Sequence, residues 1–207
     1  MRKRHKEWYS RGYLPHFDHV GLIQVVTFRL LDALPTDLLE KLEKAVSKEN
    51  DVEKRKRIEA WLDAGYGSCW LRDPRIAAIV EEALLHFDAH RYRLLAWAIM
   101  PNHVHALVEL SPEVLLPDVM HTWKSFTAKA ANRILHRSGS FWMPEYFDRY
   151  IRDERHFANA VNYIHSNPVT AGLVAKAEEW RYSSAWRGGQ EAAKGAEGSE
   201  TCGHLGL

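Results

Sequence analysis

Residues 101–105 read Pro-Asn-His-Val-His, and the alternation runs on through Ala106, Leu107, Val108 and Glu109 to Leu110. A strand's side chains alternate with period two, so this segment predicts a β-strand with His103 and His105 on one face. Val104, Ala106, Val108 and Leu110 then point from the other face toward a core. Two neutral imidazoles on one face can hold a metal ion. By itself the pair also fits a half-wet strand that happens to carry two histidines, so its neighbours decide between the readings.

A second set of polar residues falls on a helix. Asp153 can cap it, and Phe157, Ala160, Val161 and Ile164 form its apolar stripe. At about 100° per residue, His156, Asn159, Tyr163 and the position of Asn167 follow one flank of that stripe. Asn167 precedes Pro168, which disfavours helical backbone at Asn167, so the helix is expected to be interrupted there. Tyr163 reads here as a helix-edge tyrosine with a wetted hydroxyl, and Asn167 as a cap for a short helix beginning at Pro168.

Several elements must position these residues. Leu22 to Leu30 reads as a buried strand, and Asp37 with Glu40 resembles a capping box before Leu38, Leu39, Leu42 and Val46. Ile58, Trp61 and Leu62 carry the stripe on until Gly65. Asp73-Pro74 is a cap followed by proline at the first helical position, with Ile76, Ile79, Val80, Ala83 and Phe87 on one face of the helix. Tyr92 to Ile99 is a second strand, joined by Met100-Pro101-Asn102 to the histidine strand, so the two are expected to be antiparallel neighbours. Trp123, Phe126, Ala130 and Ile134 mark another amphipathic helix, and Tyr146 to Ile151 a further edge strand. The sum is an α+β fold, with helices on one face of a small antiparallel sheet.

The chain has 207 residues with 46% hydrophobic content, enough for one domain with a sizeable core. Residues 1–186 are read as that domain with an N-terminal arm, and residues 187–207, glycine-rich and without apolar period, as a disordered tail. No stretch resembles a signal-peptide core or approaches the roughly eighteen apolar residues of a membrane span, so a cytoplasmic protein without a membrane partner is expected. Cys69 and Cys202 suggest neither a disulfide framework nor a thiolate metal site. The net charge of +1 hides segregation. Lys124, Lys129, Arg133 and Arg137 occur without an acidic residue between them, which suits a surface facing a polyanion and equally a solvated helix face.

Three motifs in order carry a family resemblance: Met100-Pro-Asn-His-Val-His105, Phe147-Asp-Arg-Tyr-Ile-Arg152 and Tyr163-Ile-His-Ser-Asn-Pro-Val-Thr-Ala-Gly172. They resemble the REP-associated tyrosine transposases, of the one-tyrosine branch of the HUH single-strand DNA endonucleases. The resemblance implies a ferredoxin-like sheet with the histidine pair on a central strand and the catalytic tyrosine on a helix. It makes Tyr163 the nucleophile and His103, His105 and Asn167 the ligands of a divalent magnesium or manganese ion, with no small-molecule cofactor. Asparagine stands where related transposases carry glutamine.

The implied activity is a single-strand DNA endonuclease and strand transferase acting on hairpins of repetitive extragenic palindromes, through tyrosine joined to a 5′ phosphate. A phenol, with a pKa of about 10, needs a polarised electrophile, which a metal supplies. Arg149 and Arg152 are the first candidates for DNA phosphates, followed by Lys124 and Lys129. A regular strand would set Arg149 and Arg152 on opposite faces. Arg11 and His16, interleaved with Trp8, Tyr9, Tyr13 and Phe17, suit an arm that binds an unpaired strand or one that tethers to the domain. A non-catalytic binder of structured single strands and a water-activating metal phosphoesterase are the rival functions. Monomer and homodimer both remain open.

Overall fold

The computed structural model describes residues 7–10, 15–18, 21–35 and 51–187, with side chains from 21–35 and 57–187. The expected helix around Leu38 to Val46, the tail after Arg187, Arg11 and the side chain of His16 lie outside the described residues. Strands β1 (Glu7–Ser10) and β2 (Pro15–Asp18) form an antiparallel hairpin. Then follow β3 (Ile23–Arg29), helix α1 (Asp51–Asp63), α2 (Pro74–Leu85), β4 (Tyr92–Ile99) and β5 (His103–Leu110). Helix α3 (Leu116–Ile134), β6 (Phe147–Tyr150) and α4 (Glu154–Thr170) complete the described order of long elements.

The four-stranded sheet has the order β4-β5-β3-β6, antiparallel throughout, so the histidine strand is central and β4 and β6 are edges. With α1 and α2 between β3 and β4, and α3 between β5 and β6, this is the ferredoxin-like arrangement. One face meets α2 and α3 over a large core built on Val26, Phe28, Val104, Ala106, Val108, Leu84, Met120 and Trp123. Within it Trp123 Nε1 donates to Tyr92 Oη (2.9 Å), which donates to the Leu84 carbonyl (2.7 Å), so both buried polar tips are satisfied. The buried stripe of α3 is Leu116, Val119, Met120, Trp123, Thr127 and Ala131; Phe126, expected within it, is half exposed.

The opposite face carries the histidines, and it is not wet. Helices on one face describes α2 and α3; α4 covers this other face with Ala160 and Ile164 against Ala96, Ala98 and Leu107. A bulge between Leu94 and Ala96 inserts Leu95 into β4, and Leu95 and Ala96 both join this second core. The reason one face could not suffice is compositional: Leu107, Val25, Phe157 and Val161 form a second apolar surface, which must also be buried.

Helix α4 starts as expected, with Asp153 accepting the His156 N–H at 2.7 Å. It does not stop at Asn167: Pro168 lies inside it and the helix runs to Thr170. A helical proline costs about 3 kcal/mol in a helix interior and removes the bond to the residue four back. Here it falls in the last turn, and the Asn167, Pro168 and Val169 carbonyls all accept bonds from Ala171 to Leu173. Asn167 is 2% exposed, so burial of its side chain holds the backbone that proline disfavours.

Candidate active site

The β3–β5 ladder sets Thr27 opposite His105 and Arg29 opposite His103. Both imidazoles are 1% exposed, and their Nε2 atoms lie 2.9 Å apart. What faces the two Nδ1 atoms fixes what those Nε2 atoms can do. Asn102, itself fully buried, donates its Nδ2 to the Tyr66 carbonyl (3.0 Å), which turns its Oδ1 toward His103 Nδ1 at 2.8 Å. His103 therefore carries its proton on Nδ1 and presents a lone pair at Nε2. His105 Nδ1 meets the Thr27 hydroxyl at 2.8 Å, a group that accepts or donates as it rotates. Burial pushes both imidazoles toward the neutral form, His105 down to about 3 and His103 well below its ordinary value, with His105 adding to the shift of His103.

Asn167 reaches the pair from α4. Its Nδ2 lies 3.2 Å from His105 Nε2, and its Oδ1 is buried without a hydrogen-bond partner. A half-turn of the amide exchanges the two ends and directs the oxygen at the same point. An octahedral ion with ~2.1 Å bonds has adjacent ligand atoms about 3 Å apart, which the spacings of His103 to His105 and of His105 to Asn167 match. Among the described residues no three His, Cys, Asp or Glu side chains are arranged to hold an ion by themselves, and the Asn167 amide adds a further donor beside the pair. The residues fit a divalent ion.

Tyr163, one turn before Asn167, packs edge-on against the His105 ring with centroids 5.3 Å apart. Its hydroxyl is buried. Burial first, then the carboxylates of Glu59 and Asp63, raise the phenol far above its ordinary pKa, and Asn167 opposes them weakly. Both carboxylates come from one face of α1, spaced by four residues. Asp63 Oδ1 lies 3.8 Å from His103 Nε2, and burial together with Glu59 raises Asp63 to about 6. Sequence reasoning missed Glu59, Asp63, Asn102 and Thr27. The i, i+4 carboxylates were visible as a pair, but only the long-range packing of α1 identifies their neighbours.

A cavity of about 480 Å³ opens beside Tyr163, bordered by Arg149, Arg152 and Arg155. Arg149 and Arg152 share this space because β6 ends at Tyr150, so the alternation that would set them apart no longer applies to Arg152. Burial and these two guanidiniums hold His156 below its ordinary pKa. Lys124 and Lys129 are not brought here, since α3 packs on the far face of the sheet. Lys124 Nζ donates to the Met143 and Pro144 carbonyls at 2.6 and 2.7 Å, while Lys129 is exposed. His165 meets the Ser184 hydroxyl (2.8 Å) instead of the site. Tyr146 is buried in the first core, away from the histidines. The backbone of His16 lies in β2, beside β6. Among the described residues no helix is long and apolar enough to cross a membrane.

Residues 72–167, which include the histidine pair, Tyr163 and Asn167, match the family model of the IS200-like transposases. A Haemophilus influenzae protein named as a REP-associated tyrosine transposase is 28% identical over 107 residues, 47% of this chain and 61% of that one. The REP-associated tyrosine transposase of Escherichia coli is 26% identical over 95 residues, 45% of this chain and 54% of its own. The chain thus matches little more than half the length of these relatives. A solved structure of a REP-associated tyrosine transposase bound to a REP hairpin superposes with a TM-score of 0.54 at 18% identity, covering 86% of this chain and 82% of that one, which establishes the fold. This chain is thus similar to the REP-associated tyrosine transposases, with His103, His105, Tyr163 and Asn167 inside its IS200-like segment.

Proposed function

We propose that the protein is a metal-dependent single-strand DNA endonuclease and strand transferase that acts on hairpins of repetitive extragenic palindromes through Tyr163. The observation that carries this reading is the convergence of a buried tyrosine, two buried neutral imidazoles and an amide with an orphaned oxygen within one chain. His103, His105 and Asn167 would hold magnesium or manganese, which when bound supplies Lewis-acid polarisation of the scissile phosphate.

The chain's own residues do the rest. Asn102 and Thr27 orient the imidazoles. Helix α4 aims Tyr163 from above the sheet, and its buried, carboxylate-flanked phenol stays protonated until DNA arrives. In the reaction the Tyr163 oxygen bonds to phosphorus, the bond from phosphorus to the 3′ oxygen breaks, and the proton lost by the phenol is balanced by the one taken up by the departing 3′ oxygen. The products are tyrosine joined to a 5′ phosphate and a strand with a free 3′ hydroxyl. One ester replaces another, so a 3′ hydroxyl on a new strand can reverse the step. Arg149 and Arg152 contact phosphates near the break, and Arg11 and His16 are further DNA contacts. Lys124 and Lys129 lie too far round the sheet to share that surface.

A labelled hairpin with unpaired flanks tests this, incubated with manganese or with chelator. Nicking that needs manganese and disappears in Tyr163→Phe is expected. Binding without nicking in wild type would favour the non-catalytic binder, and release of free products without Tyr163 would favour the phosphoesterase.

A further inference from the structure

The cavity beside Tyr163 has a composition that the cleavage chemistry alone does not require. Its basic rim is Arg149, Arg152 and Arg155, and among the described residues none of these guanidiniums has an ion-pair partner. Two carboxylates also border it, but Asp153 is turned to the α4 N-terminus as its cap and Glu59 stands at the Tyr163 end. The charge left over is positive, and it adjoins the first turn of α4, where Arg155 adds to the attraction for an anion.

The floor is different: Val25, Phe147 and Ala160 make it apolar and aromatic. Strand register places Phe147 exactingly, because Thr27 pairs with His105 on one side and with Phe147 on the other. All three share the histidine face, which puts Phe147 two strands from His105, about 10 Å away. A ligand that fills this space must combine a flat apolar body with phosphate, and must continue to the atom that Tyr163 attacks. At 480 Å³ the recess is of ordinary size for a small-molecule site and far too small for a base pair with its two backbones.

Resting on the single-strand reading above, we propose that this cavity seats one unpaired nucleotide adjoining the scissile phosphate. Its base stacks on Phe147 and its phosphate lies among Arg149, Arg152 and Arg155. Phe147 is thereby a specificity and positioning residue that discriminates unpaired from paired strand at the point of cleavage.

The test uses the full chain with chelator present, so that cleavage plays no part. The probe is a hairpin oligonucleotide with four-nucleotide unpaired arms, carrying 2-aminopurine at each arm position in turn. Quenching is expected at a single position, lost in Phe147→Leu with about ten-fold weaker binding, and kept in Phe147→Tyr. Arg155→Gln is expected to lower the slope of log affinity against log salt by about 0.7. Thermal unfolding confirms that each variant is folded. No position-specific quenching, or a Phe147→Leu variant that folds and quenches as wild type, would overturn the seat. Nicking that survives such a result leaves the proposed function standing, whereas a seat found in a protein that never nicks removes the function alone.

Discussion

Thr27 and His105 face one another across the β3–β5 ladder, with the threonine hydroxyl 2.8 Å from His105 Nδ1. On the other side of the pair, Asn102 fixes the His103 proton through a buried amide that Tyr66 holds in place. The two histidines therefore differ in kind. His103 is locked with Nε2 as acceptor, while His105 follows the rotation of a hydroxyl and can either donate to His103 Nε2 or present a lone pair of its own.

Removing the Thr27 hydroxyl is expected to weaken divalent-ion binding. Thr27→Val keeps the β-branched shape on the strand and loses the partner of Nδ1, and second-layer changes of this kind typically cost 10–100-fold in metal affinity. Titration calorimetry with manganese measures it, with Thr27→Ser expected to retain most of the affinity. Equal affinity for wild type and valine variant would show that the hydroxyl does not orient His105.

Asn102→Leu is expected to weaken the same affinity and also to destabilise the fold, because the Tyr66 carbonyl and His103 Nδ1 both lose a partner. An unsatisfied buried polar group costs about 1–3 kcal/mol. Asn102→Asp keeps the oxygen that faces His103, so it should recover metal binding ahead of stability. Denaturant unfolding and calorimetry on the two variants separate the effects.

Acid should destabilise the metal-free protein in a defined window. Burial lowers both histidine pKa values, so their contribution is full above the unfolded value near 6.5 and is lost as pH falls toward about 3, where His105 titrates in the fold. Asp63, raised from 3.8 to about 6, acts in the opposite sense: its contribution is present below 3.8 and lost as pH rises through 6. Between pH 4 and 6 the unfolded chain holds two histidine protons against one on Asp63 in the fold. Stability then falls by roughly 1.4 kcal/mol per pH unit on acidification. Asp63→Asn removes the opposing proton and should steepen that slope, as unfolding curves in chelator across the window will read.

Lys124 separates surface charge from structure. With Nζ bonded to two carbonyls, Lys124→Ala should lose about 1–2 kcal/mol of stability and leave hairpin affinity nearly unchanged, while Arg152→Gln should do the reverse. Parallel binding and unfolding measurements on both variants check this. A Lys124→Ala protein of native stability and weakened binding would restore that lysine to the DNA surface.

Much of the site was legible because its signals are local. Period two set His103 and His105 on one face, and the 3.6 period set Tyr163 and Asn167 on one flank of α4. The antiparallel pairing of β4 with β5 followed from the Met100–Asn102 turn. What escaped was long-range. Nothing local to Glu59 or Asp63 says that α1 ends above His103, and nothing local to Thr27 names His105 as its cross-strand partner. The break expected at Asn167 failed because a local preference was outweighed by burial of that side chain. That Lys124 Nζ meets the Met143 and Pro144 carbonyls was equally hidden, because those partners arrive from another segment.

The most direct measurement is the identity of the atom that becomes joined to DNA. Wild type and Tyr163→Phe would be incubated with manganese and a hairpin labelled on the 3′ side of the break, resolved on a denaturing protein gel, and the labelled peptide mapped by mass spectrometry. A labelled band at protein mass in wild type alone, with the phosphate on Tyr163, is the predicted result. A band that persists in Tyr163→Phe, or DNA cut with no label on protein, would contradict the account.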